Sequence, residues 1–431
     1  MLLCAALAGD GVCLCAQSVV TLEEIFASSE AHSTQLKPSR SAIEEAQRET
    51  AVARSGLLPD INVLLSLSYI GDGLTTKRNF SDYEKAPIPH LGNGLSLNVT
   101  QPVYTGGAVT NSIRLAQLKE TAARFAEDFQ RDNIRFRLTG YYLDIYKYTN
   151  LRQVVVSNIV AAQKVLADMH ARYEQGTALL NDITRYELLV SNLELELTRI
   201  DNTLSILNGD LVTTAGLPQG TEVVPDSTIL ERSLPEQTEE WWLNEAKEQS
   251  PSLQLARTGV DISRKAEDIV RAERLPKVGL QAAWNLNGPI LTEIPPIDRN
   301  LSYWFVGVGV EYNLSSLYKT NKSLARCKMA TQRATEELDV AVENVSLAVK
   351  ADHVRYLEAF EELKTRTKSV ELAERNYRTV STRYAADMAL ITDMLDAANV
   401  RFDAQQQLVN ARINIIYYYY YYKLLFTSGK I

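Results

Sequence analysis

Four short segments of the chain alternate apolar and polar residues with a period of two. They lie at 61–69, 95–100, 278–287 and 304–313. Successive side chains of a β-strand point to opposite faces, so this period predicts strands with one apolar and one polar face. In the first segment the odd positions follow the rule, and Leu64 is the apolar exception among the even ones. Each segment is close to the length of a transmembrane β-strand, although a half-buried strand of a soluble sandwich has the same period.

After each strand pair the apolar positions change to helical spacing and keep it over a long distance. No proline occurs in 103–217 or 297–431, and no glycine in 310–428. Runs of about 68 residues, such as 107–175 and 317–385, would form helices about 100 Å long. Their apolar side chains alternate steps of four and three, which is typical of a coiled coil. The first hairpin shows this at Val155, Ile159, Ala162, Leu166, Met169 and Tyr173, then at Tyr186, Val190, Leu193, Leu197, Ile200, Leu204, Leu207 and Leu211.

The same parts follow one another twice along the chain. Leu57-Leu58-Pro59 recurs as Arg274-Leu275-Pro276, and Arg172-Tyr173 recurs as Arg383-Tyr384 at a nearly equal offset. Thr21 and Glu24 have the spacing of a helix capping box, and Thr238 begins the matching helix. We therefore predict an internal two-fold repeat, in which each half contains short helices, two strands and a long helical hairpin.

The predicted organisation has four parts, which are a signal peptide at 1–16, a first repeat at 17–220, a linker at 221–237 and a second repeat at 238–431. The predicted strands lie at about 60–70 and 94–103 in the first repeat and at about 277–287 and 303–314 in the second. The predicted helical hairpins lie at about 105–215 and about 317–428.

The signal peptide rests on the first 16 residues, which hold three of the four cysteines. This small-residue and apolar stretch ends Leu14-Cys15-Ala16-Gln17, which is similar to a cleavage site. A basic n-region is missing and Asp10 interrupts the apolar run, so an N-terminus without a targeting role is the alternative. A lipid anchor on Cys13 or Cys15 is a further alternative, although neither cysteine follows the small residue that lipoprotein processing usually requires.

Composition and hydropathy argue against several classes of function, including nucleic-acid binding and catalysis. The net charge of -8 argues against binding to nucleic acid or to anionic lipid, since both favour a basic face. No run of 18 or more apolar residues follows the signal-like start, so any membrane crossing is predicted to use strands. The four histidines, His32, His90, His170 and His353, have no metal-ligand spacing, and no catalytic residues are recognised. We expect no cofactor, no bound metal and no enzymatic activity.

Four membrane strands cannot close on themselves. The smallest membrane barrels have about eight strands, and an open edge in lipid leaves backbone groups unpaired at a cost of several kcal/mol each. Further strands must therefore come from other copies of the chain. Three copies would supply twelve strands, and cyclic symmetry would arrange their helical hairpins into a tube. A tube that continues a pore is suited to conduction.

The order of motifs resembles that of the TolC family of outer-membrane efflux proteins. It consists of short helices, a strand after Leu57-Leu58-Pro59, a strand that ends Gln101-Pro102-Val103-Tyr104-Thr105-Gly106-Gly107, a long helix, Arg172-Tyr173-x-x-Gly176 and Asp182, then the repeat. The resemblance covers about 20–428. It implies an α plus transmembrane β fold, in which long antiparallel coiled-coil helices form a trimeric α-barrel continuous with a twelve-stranded β-barrel.

The same resemblance implies a function and partners. The chain would be a homotrimeric exit duct in the bacterial outer membrane, with its helical barrel in the periplasm and its strands in contact with outer-membrane lipid. It would passively conduct substrates from an inner-membrane pump of RND, ABC or MFS type and a periplasmic adaptor, the membrane fusion protein. Multidrug efflux, heavy-metal efflux and type I protein secretion all remain open. A soluble antiparallel coiled-coil scaffold is the alternative from another class.

Four residues are similar to family positions at the periplasmic gate. Asp393 and Asp396 match two carboxylates that ring the constriction, and such a ring favours cations. Tyr384 and Asp182 match positions that tie the inner and outer hairpins together in the closed state. The alternative is structural, because Asp182 and Asp393 could cap the return helices, where an acidic side chain accepts amide hydrogen bonds.

The two hairpin tips match the family's contact with the adaptor. Their residues are Gly176, Thr177, Ala178 and Leu179 in the first half and Asp387, Met388, Ala389 and Leu390 in the second. The family usually has glycine at both turns, and here Asp387 replaces the second glycine. Aspartate adopts left-handed geometry less readily than glycine, which makes the adaptor contact at the second tip the less secure of the two.

Overall fold

The computed structural model describes residues 18–226, 238–293 and 296–426. The predicted signal peptide and most of the predicted linker lie outside these residues. The elements in chain order are β1 (Ser18–Val20), α1 (Leu22–His32), α2 (Lys37–Ser55), β2 (Asp60–Tyr69), β3 (Gly73–Thr75), β4 (Glu84–Ala86), β5 (Leu91–Tyr104), α3 (Ala108–Glu174), α4 (Leu180–Ala215), β6 (Val223–Pro225), α5 (Glu239–Gln249), α6 (Pro251–Ala272), β7 (Lys277–Gly288), β8 (Leu301–Glu311), α7 (Ser316–Ala385) and α8 (Ile391–Phe426).

The chain divides into two compact units. The sheet unit contains residues 42–124 and 255–339. The helical unit contains the described residues before 42, those between 125 and 254, and those from 340 onward. Both units take residues from each half of the sequence, because each half passes through a sheet segment between its helices.

The prediction of very long helices is confirmed by α3 and α7, which contain 67 and 70 residues. In the helical unit, the alternating steps of four and three form a continuous apolar seam between α3 and α4. Val155, Ala162 and Met169 are buried in it, and Leu166 is partly buried. Tyr173 departs from the pattern, because it lies near the end of α3 and is exposed. The return helix α4 contributes Tyr186, Val190, Leu193 and Ile200 to the same cluster.

The short helices begin where their capping residues predict. The hydroxyl of Thr21 accepts the N–H of Glu24 at 3.3 Å, and the carboxylate of Glu24 accepts the N–H of Thr21 at 2.9 Å. This reciprocal pair is the capping box that the sequence predicts for α1. Thr238 caps α5 in a similar way, with its hydroxyl accepting the N–H of Trp241. Two satisfied N–H groups at α1 fix where the first helix starts.

The sheet unit contains an antiparallel sheet with the strand order β2-β5-β7-β8. Apolar positions pair with apolar positions across the strands, as Val63 does with Leu97 and Leu97 with Trp284. β2 and β8 are the two edges of this sheet, and their apolar side chains are open to the surroundings, with Val63 69% and Val308 67% exposed. An antiparallel sheet in water normally covers one of its faces. Here the apolar face of both edge strands is uncovered within the single chain.

Two small strand pairs were not predicted from the sequence. β3 and β4 form a hairpin inside the segment expected to be a loop between the first two strands. β1 pairs in parallel with β6, and the hydroxyl of Tyr142 fixes this pair by donating to the carbonyl of Val20 at 2.9 Å and accepting the N–H of Asp226 at 2.7 Å. Strands of three residues are too short to show a period of two, so local pattern cannot reveal them.

Within the described parts of the chain, no helix has the length and apolar character needed to cross a membrane.

Candidate functional site at the ends of the long helices

The first long helix ends in a turn that satisfies its last carbonyl groups. The N–H of Thr177 donates to the carbonyl of Arg172, and the N–H of Gly176 donates to that of Tyr173, both at 2.9 Å. These two bonds define a Schellman motif, which needs a left-handed residue at the reversal. Gly176 occupies that position with φ of 75°. A side chain there would be strained, so the sequence ends α3 with the residue that fits best.

The second long helix ends in the same turn with a different residue. The N–H of Met388 donates to the carbonyl of Arg383 at 2.8 Å, and the N–H of Asp387 donates to that of Tyr384 at 3.1 Å. Asp387 takes the left-handed position with φ of 58°. Aspartate reaches this conformation more readily than most residues because its short polar side chain can hydrogen-bond locally. The two tips thus share one backbone geometry although glycine is present in only one of them.

Arg172 joins the two tips. Its Nη1 donates to Oδ1 of Asp387 at 3.2 Å, and its Nη2 donates to the carbonyl oxygen of Ala385 at 2.5 Å. The end of α3 is therefore bonded both to the turn after α7 and to the last residue of α7. The Asp387 carboxylate is 76% exposed, so this ion pair lies in water. Sequence reasoning treated Arg172 only as part of a repeated motif. The aspartate that replaces a turn glycine was the signal that an arginine partner could be near.

Tyr384 and Asp182, which were predicted to act together, lie in one neighbourhood. Tyr384 is half-buried at the end of α7. Burial raises the pKa of its hydroxyl, and the negative charges of Asp182 and Asp387 raise it too, while the positive charge of Arg172 lowers it. The hydroxyl therefore stays protonated across the physiological range and is available as a hydrogen-bond donor to a carboxylate.

Asp393 caps the start of α8. Its Oδ2 accepts the N–H of Leu390, the residue before the helix, at 3.2 Å. The structural alternative considered for Asp393 is therefore present, and it leaves the second carboxylate oxygen free for other contacts. At the start of α4 the residue before the helix is Leu179, which corresponds to Leu390, and it makes no side-chain capping bond. Asp182 lies in the first turn of α4, where its charge still meets the favourable end of the helix dipole.

Asp393 and Asp396 lie on the exposed side of α8. The opposite side of the same turns packs into the helical unit through Ile391, Met394 and Ala397, all of which are buried. The two aspartates are three positions apart, so their carboxylates lie on adjacent turns of one helix face. Neither is covered by the chain itself. This side of α8 presents a pair of carboxylates to whatever lies next to it.

The tips also expose apolar side chains. Leu179, Met388 and Leu390 are exposed, and Ala178 and Ala389 are half-buried. Thr177 is bonded to its own turn, because its hydroxyl donates to the carbonyl of Arg172 at 3.1 Å. Large exposed apolar residues at a turn are more informative than polar ones, since they often mark a protein-binding surface.

Among the residues that the structure describes, no group of three or more His, Cys, Asp or Glu side chains is arranged to bind a metal ion. Cys327 is buried and unbonded to another cysteine. The features that distinguish the site are its turns, its exposed carboxylates and its tip contacts.

Comparison with known proteins gives a consistent result. The sequence profile of the family described as "Outer membrane efflux protein" matches residues 27–204 and 242–416. The outer membrane protein TolC of Vibrio cholerae is 20% identical over 396 residues, which cover 92% of this chain and 88% of that protein. The Escherichia coli protein of the same name is 20% identical over 418 residues, which cover 92% and 80% of the two chains.

Solved structures agree with the sequence matches. The crystal structure of the outer membrane protein VceC from Vibrio cholerae has a TM-score of 0.78 at 16% identity, with 94% of this chain and 96% of that chain covered. At that identity the likeness shows a common fold. The profile match spans most of both halves of the sequence, and these findings do not favour the soluble scaffold. The chain therefore belongs to the outer membrane efflux protein family and is an efflux channel of the outer membrane.

Proposed function

We propose that three copies of the chain assemble into a duct with a twelve-stranded β-barrel and a barrel of helical hairpins. The observation that supports this is the open four-stranded sheet, whose edge strands β2 and β8 expose unpaired backbone and apolar side chains. An exposed edge of this length is a site for pairing with another chain. In lipid such an edge is not tolerated, so β2 of one copy would pair with β8 of the next.

The proposed trimer rests on an internal repeat with the boundaries 17–220 and 238–431, joined by the linker 221–237 and preceded by the signal peptide 1–16. The element order supports it, because two helices, a sheet strand pair and a long hairpin occur in that order in each half. A repeat gives each copy two strand pairs and two hairpins. Three copies would then supply six strand pairs to the β-barrel and six helical hairpins to the α-barrel.

Assembly is testable with the purified protein in detergent. We expect a trimer in unheated electrophoresis samples that converts to a faster or slower monomer band on boiling, and we expect steady conductance after insertion into a planar bilayer. A soluble scaffold would be extracted without detergent, would not change mobility on heating and would not conduct. Absence of both heat modifiability and conductance would contradict the proposed duct.

Asp393 and Asp396 are proposed to form the constriction of this duct. Their exposed position on one side of α8 supports the proposal, since a three-fold axis would gather six carboxylates around a common opening. Such a ring favours cations over anions. Tyr384 and Asp182 are proposed to keep the tips closed, and their proximity at the end of α7 supports that role.

Selectivity measurements test the constriction directly. The double variant Asp393→Ala with Asp396→Ala is expected to lower the ratio of cation to anion permeability in bilayer recordings. Asp168→Ala, which removes an exposed carboxylate of α3, is the matched control and should leave the ratio unchanged. If both variants have the wild-type ratio, the carboxylate pair does not line the narrowest part of the channel.

The tips are proposed to bind a periplasmic adaptor, the membrane fusion protein, which would link the duct to an inner-membrane pump of RND, ABC or MFS type. The exposed Leu179, Met388 and Leu390 support this, because an adaptor's helical hairpin could cover them. Replacing Leu179 and Met388 with serine should abolish co-purification of the adaptor after crosslinking while conductance is retained. Leu195→Ser is the control, because Leu195 is an exposed leucine of α4 that lies away from the tip, and this variant should still co-purify with the adaptor.

A further inference from the structure

A polar cluster lies beside the apolar seam of the helical unit. Asn158 of α3 is only 6% exposed, although its helical neighbours in the seam, Val155, Ile159 and Ala162, are all apolar. A buried amide is costly unless its donors and acceptors are all satisfied. Its burial beside the seam therefore requires specific partners.

Those partners come from α8. The Oδ1 of Asn158 accepts a hydrogen bond from Nη2 of Arg401 at 2.6 Å, and its Nδ2 donates to Oε1 of Gln405 at 2.9 Å. The same Nδ2 also donates to the carbonyl of Val154 within α3 at 2.8 Å. Gln405 in turn donates to Glu374 of α7 at 3.4 Å. One amide thus joins a helix of the first hairpin to both helices of the second.

Aromatic residues complete the cluster. The guanidinium of Arg401 lies over the ring of Tyr377, with Cζ 3.8 Å from the ring centroid. Tyr377 packs against the apolar cluster that contains the buried Tyr186 of α4. We call Asn158, Tyr186, Tyr377 and Arg401 the cross-hairpin cluster. A small hollow of about 20 Å³, partly open to solvent, is lined by these side chains and has room for about one water.

Arg401 is unusual in how its charge is compensated. Among the described residues, no carboxylate lies within 4 Å of Arg401, and its Nε has no hydrogen-bond partner. Its partners are an aromatic face and a neutral amide. A cation–π contact strengthens when it is removed from water, and it needs no acid to be ionised. This link between the hairpins therefore depends little on salt, unlike the exposed pair of Arg172 and Asp387.

We propose that Arg401 is a positioning residue that holds the two hairpins together within the helical unit, so that the tips separate while the cross-hairpin cluster stays closed. The proposal rests on the proposed duct function. Helix α8 begins at Ile391, so Arg401 lies about 15 Å along the helix from the tip. Opening would break the exposed contacts of Arg172, Tyr384 and Asp182, and the cluster would limit how far the separation extends.

Bilayer conductance of the full-length protein tests this in two backgrounds. Arg401→Met is made in the wild-type protein and in Arg172→Gln, a variant in which the contact between the tips is weakened. Methionine removes the charge of Arg401 but keeps an apolar side chain of similar length. We expect Arg172→Gln alone to raise conductance, and Arg401→Met added to it to raise the open-to-closed ratio further, by about tenfold, equivalent to about 1.4 kcal/mol. If adding Arg401→Met leaves the ratio unchanged, the cluster does not limit opening.

A pair of variants at Tyr377 separates positioning from general packing. Tyr377→Phe keeps the ring beneath Arg401 and loses only the hydroxyl, so its gating should stay close to wild type. Tyr377→Leu removes the ring and should behave like Arg401→Met. Equal effects of the two Tyr377 variants would overturn the role assigned to the cation–π contact. Heat-modifiable trimer in each sample shows that the variants assemble.

The outcomes distinguish this inference from the proposed duct. If the wild-type protein conducts but the Arg401 and Tyr377 substitutions leave the open-to-closed ratio unchanged, the role of the cross-hairpin cluster is contradicted and the duct is not. A protein that conducts in none of its forms, including the loosened tip variant, contradicts the duct. Asn158→Leu is an independent test of the cluster, because it removes the amide while it preserves the size of the side chain. Its open-to-closed ratio should equal that of Arg401→Met.

Discussion

The helical unit places charges at its tips and in its interior, and the same residue types behave differently in the two regions. At the tips, Arg172 and Asp387 pair in water, where an ion pair contributes little and is screened by salt. In the interior, Asp132 of α3 is only 3% exposed, and neither of its carboxylate oxygens has a hydrogen-bond partner among the described residues. The nearest positive group is Nη1 of Arg135, at 3.9 Å.

Burial alone does not decide the cost of a polar group, because the interior also contains a well-compensated one. Asn158 satisfies its amide with three hydrogen bonds and lies beside Arg401. Asp132 has no such arrangement, and burial raises its pKa to about 6 against the opposing charges of Arg131 and Arg135. The comparison teaches that an interior polar residue stabilises the unit only when its partners are placed to meet it.

The largest expected effect is at Asp132. Its pKa is near 3.8 when unfolded and about 6 in the fold, so the ionised carboxylate destabilises the fold above pH 6, and this cost disappears as pH falls below 4. Asp132→Asn should therefore stabilise the protein at pH 7.5, by at most about 3 kcal/mol, and have little effect at pH 3.5. Thermal unfolding in detergent at the two pH values measures the difference.

Asp352 of α7 is the matched control for Asp132. It is equally buried, and burial raises its pKa, but Nη1 of Arg355 donates to its carboxylate at 3.1 Å. Asp352→Asn weakens that bond and should give a smaller gain at pH 7.5, or a loss. Equal stabilisation by both substitutions would show that burial, rather than the missing partners, sets the cost.

The next effect concerns the turn residues at the tips. Gly176 has φ of 75°, and a Cβ in the left-handed region costs about 1–2 kcal/mol. Gly176→Ala should therefore raise local opening of the first tip about tenfold, measured by amide hydrogen exchange of the peptide 172–180. Asp387 already has a Cβ in that region, so Asp387→Ala should affect the second tip less. A larger effect at the second tip would contradict this account of the two turns.

How much of this the sequence could predict depends on the range of the interactions. Periods of two and of about three and a half residues come from side-chain geometry within one strand or helix, so the sheet strands and the long helices were visible in the pattern. The turn at Gly176 was visible because a glycine lies between the two periodic runs of the first hairpin. The spacing of Asp393 and Asp396 predicted that they share one face of a helix, whereas the exposure of that face is seen only in the structure.

Contacts between distant residues were not visible. Asn158 and Arg401 are 243 residues apart, and neither interrupts its local pattern in a way that identifies the other. The β1–β6 pair joins the start of the first repeat to the predicted linker that follows it, and each strand is too short to show a period. Arg172 stood in a recognised motif, but its bond to Asp387 requires two helix ends to meet. Such contacts depend on tertiary packing, which local pattern does not encode.

A smaller effect is expected from Arg172. Arg172→Gln removes an exposed ion pair, which contributes about 1 kcal/mol or less, and weakens the bond to the Ala385 carbonyl. Amide exchange in 383–390 should rise several-fold in low salt, and the difference from wild type should shrink in 1 M salt, where the screening length is about 3 Å. Arg152→Gln, which removes an exposed pair with Asp201 within one hairpin, should leave 383–390 unchanged.

The smallest effect separates the two aspartates that follow the tips. Asp393 accepts the N–H of Leu390 and so satisfies a group that would otherwise lack a partner at the start of α8. Asp393→Ala should therefore speed amide exchange in the first turn of α8, by an amount equivalent to about 0.5 kcal/mol, whereas Asp393→Asn keeps an accepting oxygen and should do so less. Asp182→Ala should leave the first turn of α4 closer to wild type, because no side-chain capping hydrogen bond is present at the start of that helix to be lost. If Asp182→Ala loosens its own helix as much as Asp393→Ala does, the two positions are equivalent caps, and the difference between the two tips lies in the turn residue alone.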